Sequence, residues 1–296
     1  MQRIVIFGAS GLIGRRTATA LREAGYEVLS VSRRPVANQL PLDFSSPELR
    51  NALSRAYGII NLAGAPIIGK RLTPAYRKLI DDSRIGLTER LVGCLAELPQ
   101  RPEVLINGSA TGYYGTRELT DEIFTETSPA GSGFWADLCV KWETAALGAE
   151  ALGIRTVAIR TGLVLSKEPG GTLAKLALPF RLGIGGPIGP PESWRSWIHI
   201  DDEVGIILYA LANADVRGPV NATAPKPLRN AEFAKQLGHA LQRPSWLPVP
   251  EAAVKLVFGD VGEVITRGKR IVPRRISDSG YGFTYPTFES ALNQLV

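Results

Sequence analysis

Residues 3–14, "RIVIFGASGLIG", constrain the fold more than any other stretch. A short apolar run feeds directly into Gly8, Gly11 and Gly14, and then into a helical pattern over 12–25 that Gly25 ends. A buried strand that turns at once into a helix packed on its own sheet needs such glycines. One permits the tight turn, one lets a ligand approach the backbone, and one lets helix and strand come close. The helix start also offers free N–H groups and the positive end of its dipole to an anion. The spacing is Gly-x-x-Gly-x-x-Gly and not Gly-x-Gly-x-x-Gly, but the strand–turn–helix context predicts a dinucleotide pyrophosphate at Gly8, Ser10, Gly11, Leu12, Ile13 and Gly14.

The pattern then repeats. Strands are expected over 27–33, within "NQLPLDF", over 57–64, over 103–110 and over 154–165; helices are expected near 46–55, over 73–98 and from 134. Thr73 and Pro74 supply an N-cap and a first-turn proline for the long helix. This alternation predicts an α/β fold: a Rossmann-type parallel sheet flanked by helices over 1–165, with strand returns from about 200–223. Residues 166–198 are rich in Gly and Pro. Helices near 202–213 and 230–241, and a tail with several prolines, suggest a smaller mixed substrate lobe over 166–296. Such a lobe belongs over the carboxyl ends of the strands, where open α/β sheets bind ligands.

The end of the second strand bears on cofactor choice. Ser32, Arg33 and Arg34 stand where a carboxylate would hold a ribose 2′-hydroxyl, so a 2′-phosphate fits better. NADP(H) is therefore favoured, with NAD(H) possible. Asp43 is placed to meet the adenine amine. Leu62, Ala63 and Gly64 end the fourth strand with small groups that a cofactor can pass.

Composition excludes little beyond this. The 296 residues are 45% apolar and 21% charged, an ordinary globular balance. No apolar run approaches the roughly 20 residues that span a bilayer. Cys94 and Cys139 form neither a disulfide framework nor a metal-ligand spacing, and a reducing cytoplasm is the simplest home. The net charge is +6, with one dense run, "RGKRIVPRR" at 267–275; without a nucleic-acid-binding signature it reads as a solvated basic face. His199 has no ligand partner by spacing, the other histidine being His239, so no metal is expected. The expected partner is a small-molecule substrate, with no nucleic acid and no membrane, for a monomer or homodimer.

Several segments together carry a family resemblance: "GASGLIG", "INLAGAPI", "DSRIGLTERLV", "GSATGYYG", "KWE", "RTGLVL", "GGTLAKLALPFRLGIGGPIG", "SWIHIDD", "GPVNATAP" and "RNAEFAKQL", with "RPSWLPVP", "GKRIVP" and "GYGFTYP" in the tail. The chain resembles the extended short-chain dehydrogenase/reductases, the NAD(P)-dependent epimerase/dehydratase superfamily, and within it an atypical YfcH-like branch with its own C-terminal domain. The resemblance implies departures from the usual active site. Arg84 stands where the superfamily usually has Asn. Ser109 looks like the retained active-site Ser, with Thr111 a rival. Trp135 and Cys139 stand where Tyr and Lys of a Tyr-x-x-x-Lys pair belong.

That pair works because residues at i and i+4 share a helix face, and the ammonium makes the phenol a better acid. Tryptophan donates only and does not titrate usefully. A repair is conceivable: Arg84 lowers the pKa of Cys139, or binds a carboxylate or phosphate on the substrate. A buried small hydrophobe is the competing reading of Cys139. Tyr113 and Tyr114 are alternative acids. The candidate catalytic set is Ser109, Cys139, Arg84 and Tyr114, with Arg84 and Ser109 also counted as cofactor contacts. Arg181, Arg195, Trp197 and His199 are expected near the substrate. The expected function is an oxidoreductase or epimerase acting on a small polar or sugar-like substrate; the alternative is a non-catalytic NADP(H)-binding sensor or scaffold.

Overall fold

A computed structural model describes residues 1–67, 70–116, 118–168 and 171–296, with the backbone alone at 257–258. Gly170, which opens the "GGTLAKLALPFRLGIGGPIG" segment, lies outside the described residues. The strands are β1 (Arg3–Phe7), β2 (Glu27–Ser32), β3 (Gln39–Pro41), β4 (Gly58–Asn61), β5 (Val104–Ala110), β6 (Ile123–Phe124), β7 (Arg155–Thr161), β8 (Leu163–Leu165), β9 (Trp194–Arg195), β10 (Trp197–His199), β11 (Gly218–Ala222), β12 (Leu228–Arg229) and β13 (Arg270–Ile271). The α-helices are α1 (Leu12–Glu23), α2 (Pro47–Ser54), α3 (Pro74–Asp81), α4 (Leu87–Ala96), α5 (Phe134–Leu147), α6 (Thr172–Arg181), α7 (Ile200–Ala212), α8 (Asn230–Ala240), α9 (Glu251–Phe258), α10 (Val261–Thr266), α11 (Arg274–Asp278) and α12 (Phe288–Leu295).

Seven strands form one parallel sheet in the order β11-β7-β5-β4-β1-β2-β3. The order reverses between β1 and β4, and a crevice for a ligand opens at such a switch point. Alternation along β1 sends Ile4 and Ile6 into one core, with Val204 and Ile207 of α7. Val5 and Phe7 enter the other, with Leu53 of α2 and Leu91 of α4. Both faces are thus covered, as an all-parallel sheet requires.

Two sequence expectations are corrected here. The single strand expected over 154–165 is two. β7 stays in the large sheet, whereas β8 pairs with β10 in a separate two-stranded sheet. Gly162 makes the switch: its N–H bonds to Ala222, the next N–H bonds to Ser196, and a Cβ there would stand 2.5 Å from the Ser196 carbonyl oxygen. The helix expected over 73–98 is interrupted by a π-helical turn at Asp82–Gly86. Thr73 does cap its start, accepting the Tyr76 N–H. Strands β8 and β10 and helices α6, α8 and α12 build a further apolar cluster around Trp197, Phe233 and Phe288.

The basic run at 267–275 is largely consumed internally. Arg267 pairs with Glu251, Lys269 donates to the Glu118 carbonyl, Arg270 lies over Trp194, Arg274 pairs with Asp278 and Arg275 donates to the carbonyls of 217 and 219. Among the described residues, no helix is long and apolar enough to cross a membrane.

Glu203 in the first turn of α7 is fully buried; one carboxyl oxygen accepts from the Thr161 hydroxyl and the other has no partner. Burial pushes its pKa up to about 8, against 4.5 ordinarily. The folded protein therefore holds a proton that the unfolded chain releases. Its stabilising effect is complete below about pH 4.5 and is lost as pH rises through about 8. Glu203→Gln should flatten the fall in melting temperature across that window, removing a slope of up to about 1.4 kcal/mol per pH unit. Parallel wild-type and variant profiles would contradict this.

Candidate functional site

The tip of β1 turns into α1 through Gly8, whose φ is +84°. A Cβ on Gly8 would come within 2.6 Å of the Leu62 carbonyl carbon, and one on Gly14 within 2.2 Å of the Gly8 carbonyl oxygen. Only glycine lets α1, β1 and the end of β4 meet so closely. Gly11 caps the helix without a side chain, and the first-turn N–H groups have no intrahelical acceptor.

Above this junction lies a crevice of about 770 Å³, within the range of small-molecule sites. Its walls include Gly8, Ser10 and Gly11 from the turn, Ser32, Arg33 and Arg34 from the end of β2, and Leu62, Ala63 and Gly64 after β4. Sequence reasoning placed all nine at the cofactor. Leu12 and Ile13 instead turn their side chains toward the core, and Gly14 is buried in the helix–strand contact; what these three residues leave free is their backbone N–H groups.

Across from these lie Leu79, Asp82, Ser83, Leu87 and Arg90, and Phe7, Val31, Leu42 and Ala65 complete the lining. Steps of three and four residues put the first five on one face of the α3–π–α4 segment. That spacing was a usable signal, and Arg90 was missed without it. Arg90 donates to the Gly86 carbonyl and stands over the Phe44 ring. It lines the same crevice as Arg33 and Arg34, and no ion pair to any of the three is found among the described residues. Asp43 does not join them. It is exposed and turned to the Ser45 hydroxyl and N–H, which hold its carboxyl below the usual range.

The π turn does a specific job. Ser83 accepts the Ala65 N–H, and Arg84 donates through Nη2 to the Ala65 carbonyl at 3.0 Å. Consecutive residues of the wide turn thus clasp the chain just beyond β4. Arg84 is only 9% exposed, its Nη1 has no partner, and its guanidinium carbon is 5.4 Å from the centre of the Trp142 ring. Burial lowers its pKa, opposed by Cys139, Tyr76 and Asp81. Gly64 separates it from the crevice: a Cβ there would lie 2.9 Å from the guanidinium carbon.

The expected catalytic groups are arranged differently from the sequence reading. Cys139 is buried on α5 against Gly112, and its thiol is pushed up to about 12 by burial and then by Glu143. Arg84 does act to lower it, but loses to both. Of the two readings of Cys139, burial fits the small buried hydrophobe and not the activated thiolate. Tyr114 is also buried. Its hydroxyl donates to Asn221 or the Thr125 carbonyl and accepts from Arg160, and burial pushes its pKa up to about 12. It is a packing residue and not an exposed acid.

Ser109, at the end of β5, donates to Glu143 at 2.6 Å. Glu143 in turn binds Arg160 of β7 through both carboxylate oxygens at 2.8 Å. Burial opposes the Arg160 charge, yet these bonds to Glu143 raise its pKa. The Tyr113 ring lies face-on over that guanidinium, its centre 3.4 Å away. Glu143 and Arg160 sit within "KWE" and "RTGLVL", but nothing in either segment revealed that they pair. Thr111 is half-buried in the turn after β5. Trp135 packs with Ile80, Leu138 and Val261. Asp137 and Lys141 are both exposed on the outer side of α5.

The residues expected around the substrate separate too. Arg181 is exposed on α6. Arg195 is half-buried, with no acid paired to it among the described residues; it donates to Asn230 and to the carbonyls of Ile188, Ile265 and Thr266, and desolvation lowers its pKa to about 10. Trp197 is core. His199 caps α7 by accepting the Asp201 N–H and meets Gln294 through its other nitrogen, while burial lowers its pKa. Among the described residues, no cluster of His, Cys, Asp and Glu could hold a metal ion.

Comparison with known proteins gives this geometry a family. The model for the NAD dependent epimerase/dehydratase family matches residues 4–222, and a domain of unknown function, DUF1731, matches 249–295. The chain is 38% identical over 304 residues to the epimerase family protein SDR39U1 homolog, chloroplastic, of Arabidopsis thaliana, a match covering 99% of this chain and 86% of that one. It is 34% identical over 302 residues to epimerase family protein YfhF of Bacillus subtilis, covering 99% and 97%. The crystal structure of human epimerase family protein SDR39U1 (isoform 2) with NADPH aligns over 99% of both chains, with a TM-score of 0.90 and 34% identity. The chain belongs to the NAD dependent epimerase/dehydratase family.

Proposed function

We propose that this chain binds NADP(H) across the tips of β2, β1 and β4 and acts as an oxidoreductase or epimerase on a small polar or sugar-like substrate, without a Tyr-x-x-x-Lys pair. The observation that carries the cofactor choice is that Arg33, Arg34 and Arg90 line one crevice, with no carboxylate at the end of β2. Such a wall suits a 2′-phosphate and leaves a bare 2′-hydroxyl poorly held. The human relative crystallised with NADPH supports the same choice.

In this reading the first-turn N–H groups of α1 receive the pyrophosphate, and Gly8 and Gly64 present backbone to the crevice. Ser109 is held as a donor to Glu143, so it offers a substrate lone pairs and not a proton. Arg160, Glu143 and the two tyrosines hold the end of β5 rigid beneath the reacting groups. The bound nucleotide supplies hydride chemistry; the protein supplies orientation.

A second reading, a non-catalytic NADP(H) sensor or scaffold, is favoured by one specific observation. Neither Cys139 nor Tyr114 titrates near neutrality. Reduction of a broad carbonyl and nucleotide-sugar panel by NADPH separates the readings. Turnover on any member supports the enzyme; tight NADPH binding with none supports the sensor.

Two further outcomes are expected. Arg33→Ala and Arg90→Ala should each weaken NADPH binding about tenfold while leaving NADH within about twofold; equal losses for both nucleotides in fluorescence titrations would refute the cofactor assignment. Cys94 and Cys139 are both buried with pKa values raised by burial. The folded protein should resist iodoacetamide at pH near 7.5, while denaturant exposes both thiols; rapid labelling of native Cys139 would restore the thiolate.

A further inference from the structure

Helix α6 buries one apolar stripe and exposes another, where an ordinary surface helix turns polar groups outward. Leu173 and Phe180 face inward and join the cluster around Trp197 and Phe288. Leu178 and Leu182, four residues apart, are exposed, as are Lys175 and Arg181 on the same helix end. The helix then stops at a corner. Gly183 has a φ of +77°, the Ile184 N–H turns back to the Pro179 carbonyl, and Ile184 emerges exposed. The chain that leads into α9 lies against this corner. The Leu247 N–H donates to the Gly185 carbonyl at 3.0 Å, and the Val249 N–H to the Pro187 carbonyl at 2.8 Å. A Cβ on Gly186 would stand 2.0 Å from the Leu247 carbonyl oxygen, so glycine is what lets the two segments meet. Their contact brings Trp246, 73% exposed, to the corner that carries Ile184 and Leu182, the latter 67% exposed.

Single exposed apolar residues are ordinary, but a run of them at one place marks a contact surface. The charge around this one has a single sign. Residues 171–191 and 241–250 contain neither Asp nor Glu. Lys175, Arg181 and Arg243 are exposed, and no ion pair to any of the three is found among the described residues. We propose that the corner formed by the end of α6, Ile184 and the Trp246 segment docks this protein on an anionic lipid surface. Tryptophan rests at the boundary between headgroups and acyl chains, leucine and isoleucine reach below it, and the cations meet the headgroups. A second copy of the chain is a poorer occupant, because a two-fold contact sets these cations against themselves. A lipid surface also deforms around a protruding corner, whereas a protein partner must supply a matching groove. Such docking requires no membrane-spanning helix, and it does not depend on the nucleotide reading.

The test uses the full chain with vesicles of phosphatidylcholine alone and of phosphatidylcholine mixed in equal parts with phosphatidylglycerol. The protein should sediment with the mixed vesicles and bind them at least about tenfold more tightly than the neutral ones, a margin that shrinks as salt rises. A net charge of +6 gives some attraction by itself, so the apolar side chains decide the matter. Trp246→Asp and Leu182→Asp should each weaken binding to mixed vesicles at least about tenfold, as should Lys175→Glu combined with Arg181→Glu. All these positions are exposed, and unchanged melting temperatures verify that the variants fold. Brominated lipid should quench wild-type tryptophan fluorescence, and should quench Trp246→Phe less. No sedimentation with the mixed vesicles overturns the proposal. Binding that the charge reversals abolish but Trp246→Asp and Leu182→Asp leave unchanged is adsorption of a basic protein, and overturns it too. Two further outcomes assign the corner to another occupant and reject lipid. One is a dimer in sedimentation velocity that Trp246→Asp dissolves. The other is polyglutamate bound as tightly as the mixed vesicles and weakened by Trp246→Asp, which points to an acidic protein segment.

Discussion

The contact on which the site depends is the near collision of backbone at Gly8, Gly14 and Leu62. With a Cβ at Gly8 or Gly14, α1 could not pack against the tip of β1 beside the end of β4. That packing sets the start of α1 over the switch point of the sheet, opens the crevice there, and brings the end of β2 to its other wall. The glycines supply no chemistry of their own. They set the distance at which other groups can act.

Charge is divided between two regimes. Around the crevice, Arg33, Arg34 and Arg90 are exposed, and water solvates their charge. Beneath the strand ends, Arg160 and Glu143 are almost wholly buried and satisfy each other through two bonds, with Ser109 and Tyr114 completing the network. Such a pair is expensive to break and adds little net stability when intact. Its effect is geometric: it locks β5, β7 and α5 together. Arg84 belongs to neither regime, being buried and only partly satisfied.

Much of the fold was legible because its signals are local. The apolar runs at 3–8 and 103–110, the glycine turn and the Thr73–Pro74 cap each reveal themselves within a few residues. The switch at Gly162 was not legible, because a continuous apolar run looks the same whether it stays in one sheet or crosses to another. The π turn was hidden for a similar reason: one wide turn barely disturbs a helical pattern. Nine of the crevice residues were readable from the ends of strands, and Arg90 was recoverable from helix spacing. The misplacements at Cys139 and Tyr114 share one cause. Spacing says which residues share an element, but burial and hydrogen-bond partners decide whether a group can titrate or reach a ligand. Glu143 and Arg160, 17 residues apart, meet only through the fold.

The central claim is that the crevice over β1 and β4 is built for a nucleotide with a 2′-phosphate. Calorimetric titration of the wild-type protein with NADPH and with NADH tests it most directly. The account predicts one site per chain and an affinity for NADPH greater by about tenfold or more, a margin that shrinks as salt screens the arginines. Equal affinities, or no heat with either nucleotide, would contradict it.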